Sequence, residues 1–135
     1  MVRRNGTKSR EKKNHKPSKY RNVKTIIDDI CFDSKAEAQY YVDLKEKKQK
    51  GEIADFKCQV DFTLQEGYIS PSSGKKARPI IYRADFVVTH TDGSEDIIDV
   101  KGSRGYQTEV FKLKHKLFEY KFKVPLKIVT VKVKS

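Results

Sequence analysis

Two runs rich in β-branched and aromatic residues, Ile80 to about Thr89 and Glu95 to Lys101, flank a turn around Asp92-Gly93. That pattern commits the centre of the chain to an antiparallel hairpin. If His90 to Ser94 form a five-residue loop, Thr89 faces Glu95 and Asp85 faces Asp99. Directly opposed residues carry their side chains on one face, with Cβ atoms about 4.5–5.5 Å apart. Lys101, two residues beyond Asp99, points the same way. Two carboxylates and a lysine then converge on one patch of sheet. A four-residue loop would throw Asp99 to the far face, so the spacing permits this cluster without fixing it.

On either side of the hairpin the periodicity changes. Val23 to Ile27 and Ile30 to Phe32 read as short strands about Asp28-Asp29. Ser34 is placed as a helix N-cap with Glu37 as the N3 residue of a capping box. That helix runs to about Lys50, stops at Gly51 and buries Tyr40, Tyr41 and Leu44. From Ile53 to Leu64 the chain reads as a strand, with Phe56, Cys58, Val60, Phe62 and Leu64 sharing one face. Gly67 to Pro79 is a loop by composition. A second helix is expected from about Tyr106 to Phe122, with Val110, Leu113, Leu117 and Phe118 on its apolar face. Pro125 stops it, and Leu126 to Val133 reads as a last strand. The order implies an α/β domain over residues 20–135, one mixed sheet flanked by a helix on each side. Residues 1–19 have no apolar periodicity and read as a disordered basic arm.

Charge narrows the function. Thirty Lys and Arg against eighteen Asp and Glu give +12. Residues 1–24 hold ten bases and one acid, residues 25–99 ten bases and fifteen acids, and residues 100–135 ten bases and two acids. An acidic centre between basic flanks suits a phosphodiester enzyme, with carboxylates for metal and cations for phosphate. No run approaches a membrane span and the N-terminus is charged, so a soluble cytoplasmic protein with no membrane partner is expected. Cys31 and Cys58 form no C-x-x-C pair and are too few for a disulfide framework or a zinc site.

Two opposed carboxylates repel one another unless a cation lies between them. Mg2+ removes that cost with one or two carboxylates plus waters and substrate phosphate. Lys101 would then serve the attacking water or neutralise charge on the phosphate.

Asp85, followed fourteen residues later by Asp99-Val100-Lys101, resembles the PD-(D/E)xK nuclease signature, with Ala84-Asp85 in place of Pro-Asp. Glu37 on the upstream helix completes that pattern. Over about residues 20–133 the chain is similar to small phage Holliday-junction-resolving endonucleases, and to an uncharacterised phage family that shares FDSKAEA, YRADF and DVKG. The resemblance implies a restriction-endonuclease-like core and an endodeoxyribonuclease that uses Mg2+ or Mn2+. Its substrate would be DNA, branched DNA such as Holliday junctions included, during phage recombination or DNA processing in a bacterial host. Carried over by residue, Asp85 and Asp99 are metal ligands, the Val100 carbonyl is a third, and Lys101 is the catalytic lysine. Glu37 contacts the metal or its water, and Gln59 is an accessory polar residue. Junction resolution would need two symmetry-related sites, hence a homodimer.

Lys75, Lys76, Arg78, Arg104, Lys112 and Lys116 are candidate DNA contacts. Plainer readings stand beside these. A capping box alone explains Glu37, and Asp99 with Lys101 could form a surface ion pair of little worth. His115 is more often a solvated helix residue than a catalyst. The competing function is a nucleic-acid-binding protein without chemistry; a structural DNA-packaging protein ranks behind it, because it leaves the acidic centre unexplained.

Overall fold

The computed structural model describes residues 24–102 and 107–132. The basic arm over 1–19, the domain boundary at 20, Arg104 and Tyr106 lie outside the described residues.

Strands β1 (Thr25–Ile27) and β2 (Ile30–Phe32) pair antiparallel. Asp28 and Asp29 turn between them at φ 54 and 65°. A two-residue hairpin turn of type I′ needs two left-handed residues, and Asp is among the few side chains that tolerate the region. Helix α1 (Lys35–Gln49) follows, with Ser34 Oγ accepting from the Glu37 amide at 3.1 Å. It ends where Gly51 takes φ 79°, with the Gly51 and Glu52 amides donating back to the Lys48 and Lys47 carbonyls. This is the glycine-dependent helix stop that the sequence foretold. Tyr41 Oη and Lys45 Nζ both donate to Asp28 Oδ2 at 2.6 Å, which ties the helix to the first hairpin.

Next comes β3 (Asp55–Gln65). The stretch read as a loop carries a small ribbon, β4 (Tyr68–Ile69) against β5 (Lys76–Ala77). Gly67 allows the ribbon to close, since a Cβ there would stand 2.9 Å from the Ala77 carbonyl oxygen. Strands β6 (Ile80–Thr89) and β7 (Glu95–Lys101) form the central hairpin in the register derived above, Thr89 against Glu95. Helix α2 (Glu109–Phe122) is capped by Thr108 and starts three residues later than expected. Strand β8 (Leu126–Thr130) then pairs parallel with β7 and ends short of Val133. The main sheet runs β3-β6-β7-β8, antiparallel except for that last pair, so the protein is α/β with a mixed four-stranded sheet and two helices.

Neighbouring residues on β6 and β7 alternate between two apolar clusters. Phe86, Val88, Ile98 and Val100 pack with Phe32, Tyr41 and Leu44 on the α1 side. Val87, Ile97 and Leu126 pack with Phe118 on the α2 side, so the helices cover opposite faces. The contact face of α2 differs from expectation. Val110 and Leu113 are 63% and 58% exposed, while Phe111, Leu117, Phe118 and Phe122 face the sheet.

The single-face reading of β3 is also corrected. Phe56 and Cys58 join the α1 cluster, whereas Val60, Phe62 and Leu64 join the α2 cluster. Strand β6 changes over at the same level, with Tyr82 and Ala84 on the α2 side and Phe86 on the other. Between the two halves of β3 lies Gln59 at φ 53°, which breaks the extended conformation and with it the period of two. A β-branched residue is disfavoured at positive φ and glycine is not. Gln59→Val is therefore expected to be less stable than Gln59→Gly by about 1–2 kcal/mol in chemical denaturation. Both variants lose the Gln59 amide, so equal midpoints would show that the left-handed backbone carries no cost.

Candidate active site

The changeover places four chemically capable side chains at one level of the sheet. Pairing between β6 and β7 extends only from Thr89–Glu95 to Phe86–Ile98, although both strands continue. Immediately beyond, the Val100 amide donates to Asp85 Oδ2 at 2.7 Å, so a side chain takes the place of a ladder carbonyl. Asp85 and Asp99, which an unbroken register would oppose, lie just past the last paired residues, and their carboxylates find separate partners. Tyr82 Oη donates to Asp99 Oδ1 at 2.8 Å. Lys101 Nζ stands 2.7 Å from Asp99 Oδ2, outside hydrogen-bond geometry, so this buried oxygen is charge-compensated but accepts no hydrogen bond. The Lys101 ammonium also lies over the Phe111 ring of α2, 3.8 Å from its centroid.

Glu37 enters from α1. It is 4% exposed, which a purely helix-capping glutamate on a protein surface would not be, and Asp99 is 6% exposed. Burial raises the Glu37 pKa, and the charges of Asp33 and Asp99 add to that, against the opposing Gln59 side chain. Burial pushes the Asp85 pKa up to about 8, with Asp99 and Glu37 adding and the Val100 amide and Lys101 opposing. Three carboxylates thus share one field. Burial and the neighbouring Asp99 charge raise the Tyr82 phenol far above its usual range, so it remains a donor.

A cleft of about 360 Å³ opens beside this group, lined by Cys31, Asp33, Glu37, Gln59, Arg83 and Asp85. Gln59 Nε2 donates to the Cys31 carbonyl at 2.9 Å and so fixes the β2 wall. Of the expected site residues, Glu37, Asp85, Asp99, Val100 and Lys101 come together, with Gln59 on the cleft wall. None of the described expected DNA contacts lines the cleft. Lys75 and Lys76 flank or lie in the β4–β5 ribbon, with Arg78 just after it, all exposed. Lys112 is exposed and pairs with Glu109, and Lys116 is exposed on α2. His115 contacts Glu119 at 3.0 Å, whose carboxylate also accepts from the Leu126 amide, so it belongs to the α2–β8 junction.

Reasoning from sequence missed Tyr82, Arg83 and Phe111. Arg83 had a signal, because it precedes Asp85 by two on a strand. Tyr82 and Phe111 had none, since only tertiary packing brings them to Asp99 and Lys101.

The donor set suits a hard divalent cation. Its ligands are all oxygen, and Asp99 Oδ2 is buried without a hydrogen-bond donor. Among the described residues no group of three or more His, Cys, Asp or Glu is arranged to hold a metal ion. Mg2+ asks for less than that, one or two carboxylates with waters completing the shell.

Fold and site together define an α/β protein whose mixed sheet buries a carboxylate–lysine cluster at a break in its strand pairing. Residues 17–135 match a family described as "Protein of unknown function (DUF1064)", and the chain belongs to that family. No curated protein and no solved structure matched the chain. No helix among the described residues is long and apolar enough to cross a membrane.

The raised Asp85 pKa has a direct consequence. Its folded value lies above the ordinary 3.8, so between about pH 4 and pH 8 the native state holds a proton that the unfolded chain has released. This group therefore subtracts stability increasingly as pH rises through that window. In chelator, Asp85→Asn is expected to raise Tm by roughly 2–5 °C at pH 8 and to change it little near pH 4. A Tm at pH 8 that fails to rise would rule out an electrostatic penalty at Asp85.

Proposed function

We propose that this protein is a metal-dependent endodeoxyribonuclease on a restriction-endonuclease-like core. The observation that carries the proposal is Asp99 Oδ2, a buried carboxylate oxygen lacking a hydrogen bond, beside Asp85 and Lys101 where β6 and β7 part. Burying Glu37 and Asp99 with Asp85 half-buried beside them is costly unless a ligand offsets it. Asp85 and Asp99 would hold Mg2+ or Mn2+ with the Val100 carbonyl, and Glu37 would reach the ion or its water. Such an ion supplies charge neutralisation at a phosphate and a more acidic water.

The remaining chemistry falls to the chain. Hydrolysis adds a water oxygen to phosphorus, breaks a P–O bond and leaves a proton for the departing oxygen. The Lys101 ammonium, held between Asp99 and the Phe111 ring, would orient that water or stabilise charge on the phosphate. Tyr82 holds Asp99 Oδ1, so Oδ2, which faces the Lys101 ammonium, would be the ligand atom. The substrate is DNA, with branched DNA such as a four-way junction as the first candidate, and a homodimer would cut both strands of a junction.

A second reading, nucleic-acid binding without chemistry, rests on the Lys101–Asp99 ion pair. That contact compensates the carboxylate with no cation present. One experiment separates the two. Labelled four-way junction, flap and linear duplex are incubated with Mg2+, Mn2+ or chelator and wild type, Asp99→Ala or Lys101→Ala. Cleavage is expected with metal only, and to fall at least about 100-fold in either variant. Intact DNA in every wild-type reaction, with binding retained, would leave the binding reading in place.

A further inference from the structure

Among the described residues that line the cleft, Arg83 is the one cation, alongside Asp33, Glu37 and Asp85. A phosphate would be repelled from such a cleft unless a cation met it there. Arg83 is also held in place. Asp61 is its register partner across β3 and β6, and accepts from Arg83 Nε at 2.7 Å and from Nη2 at 3.2 Å. A guanidinium has five N–H donors, so this two-point clamp leaves three unused on its outer edge. Fixed in one plane, that edge matches the paired oxygens of a phosphodiester. Two residues along β6 separate Arg83 from Asp85, a rise of roughly 7 Å, comparable to one nucleotide step along a strand.

We propose that Arg83, clamped by Asp61, is a phosphate-binding fork for the nucleotide next to the scissile one. The proposal rests on the nuclease reading of the carboxylate site, which it extends to the way the substrate strand is laid across the sheet. Lysine cannot replace this residue, because a point charge cannot make both the clamp and the bidentate contact. Asp61 aids anion binding despite its own negative charge, because it orients the fork.

The test uses the full chain and a fluorescently labelled DNA duplex, with Ca2+ in place of Mg2+ so that binding is read by anisotropy without turnover. Arg83→Ala and Arg83→Lys are both expected to weaken binding by about tenfold. Asp61→Asn is expected to weaken it about threefold, although it makes the protein more positive. Circular dichroism checks that each of these exposed substitutions leaves the fold intact. A merely basic surface predicts the opposite pattern, and either an unchanged Arg83→Lys or a tighter Asp61→Asn overturns the fork. So does a wild type that fails to bind. Cleavage in Mg2+ is read separately. Arg83-dependent binding with no cleavage retires the nuclease and keeps the fork; cleavage with Arg83-independent binding does the reverse.

Discussion

The hydrogen bond from the Val100 amide to Asp85 Oδ2 marks where the sheet stops being a regular ladder. A buried amide must find an acceptor, and once β6 and β7 part beyond Phe86–Ile98 no ladder carbonyl takes that role for Val100. Asp85 supplies one from its side chain. That substitution lets two strands separate inside a core without orphaning the backbone, and it leaves the second Asp85 oxygen available. On the other side of β6 the Gln59 backbone turns left-handed, so β3 and β6 change faces together. The carboxylates therefore lie where the two apolar clusters meet, neither wholly buried in one nor exposed beside it.

This position explains why the group draws on both helices. Helix α1 brings Glu37 from the cluster built on Phe32, Tyr41 and Leu44. Helix α2 brings Phe111, which supports the Lys101 ammonium, from the cluster built on Phe118 and Leu126. Tyr82 belongs to the second cluster and reaches Asp99 through its hydroxyl. Rings from the core thus set the orientation of charged atoms, and packing defects in either cluster would be felt at the carboxylates.

Much of this was legible in the sequence, for identifiable reasons. The central hairpin was readable from Asp92-Gly93 and the flanking β-branched runs; its register was left open between two loop lengths, and the observed pairing of Thr89 with Glu95 is that of the five-residue loop. Helix α1 was readable at both ends, since Ser34 and Gly51 act through local backbone chemistry. The face change in β3 was not readable. Its apolar residues alternate without a break from Phe56 to Leu64, and nothing in the composition announces that Gln59 will take a positive φ. The buried side of α2 was misread because Val110 and Leu113 are as apolar as the residues that pack, and only the position of the sheet decides between them. Glu37 was ambiguous from sequence. Ser34 forms its half of the cap, yet the Glu37 side chain lies buried among other acids, so the residue serves the helix through its amide and the site through its carboxylate.

A chain shaped by stability alone would not arrange these residues so. At the centre of its sheet it would carry apolar side chains at positions 85 and 99, and extended backbone at position 59. Here local rules are broken at one level: a left-handed non-glycine residue in a strand, acids whose charges raise a neighbour's proton affinity, and a buried carboxylate oxygen met only by an ammonium outside hydrogen-bond geometry. The left-handed residue alone carries a cost of order 1–3 kcal/mol, while elsewhere helix caps, turns and core follow ordinary preferences. Costs gathered at one break in the sheet are what the proposed metal site would account for, since a bound cation would relieve the repulsion among the acids. Lys101 adds direction to that proposal, because a phosphate at the site would call for a fixed cation beside the acids, whereas a metal ion alone would not.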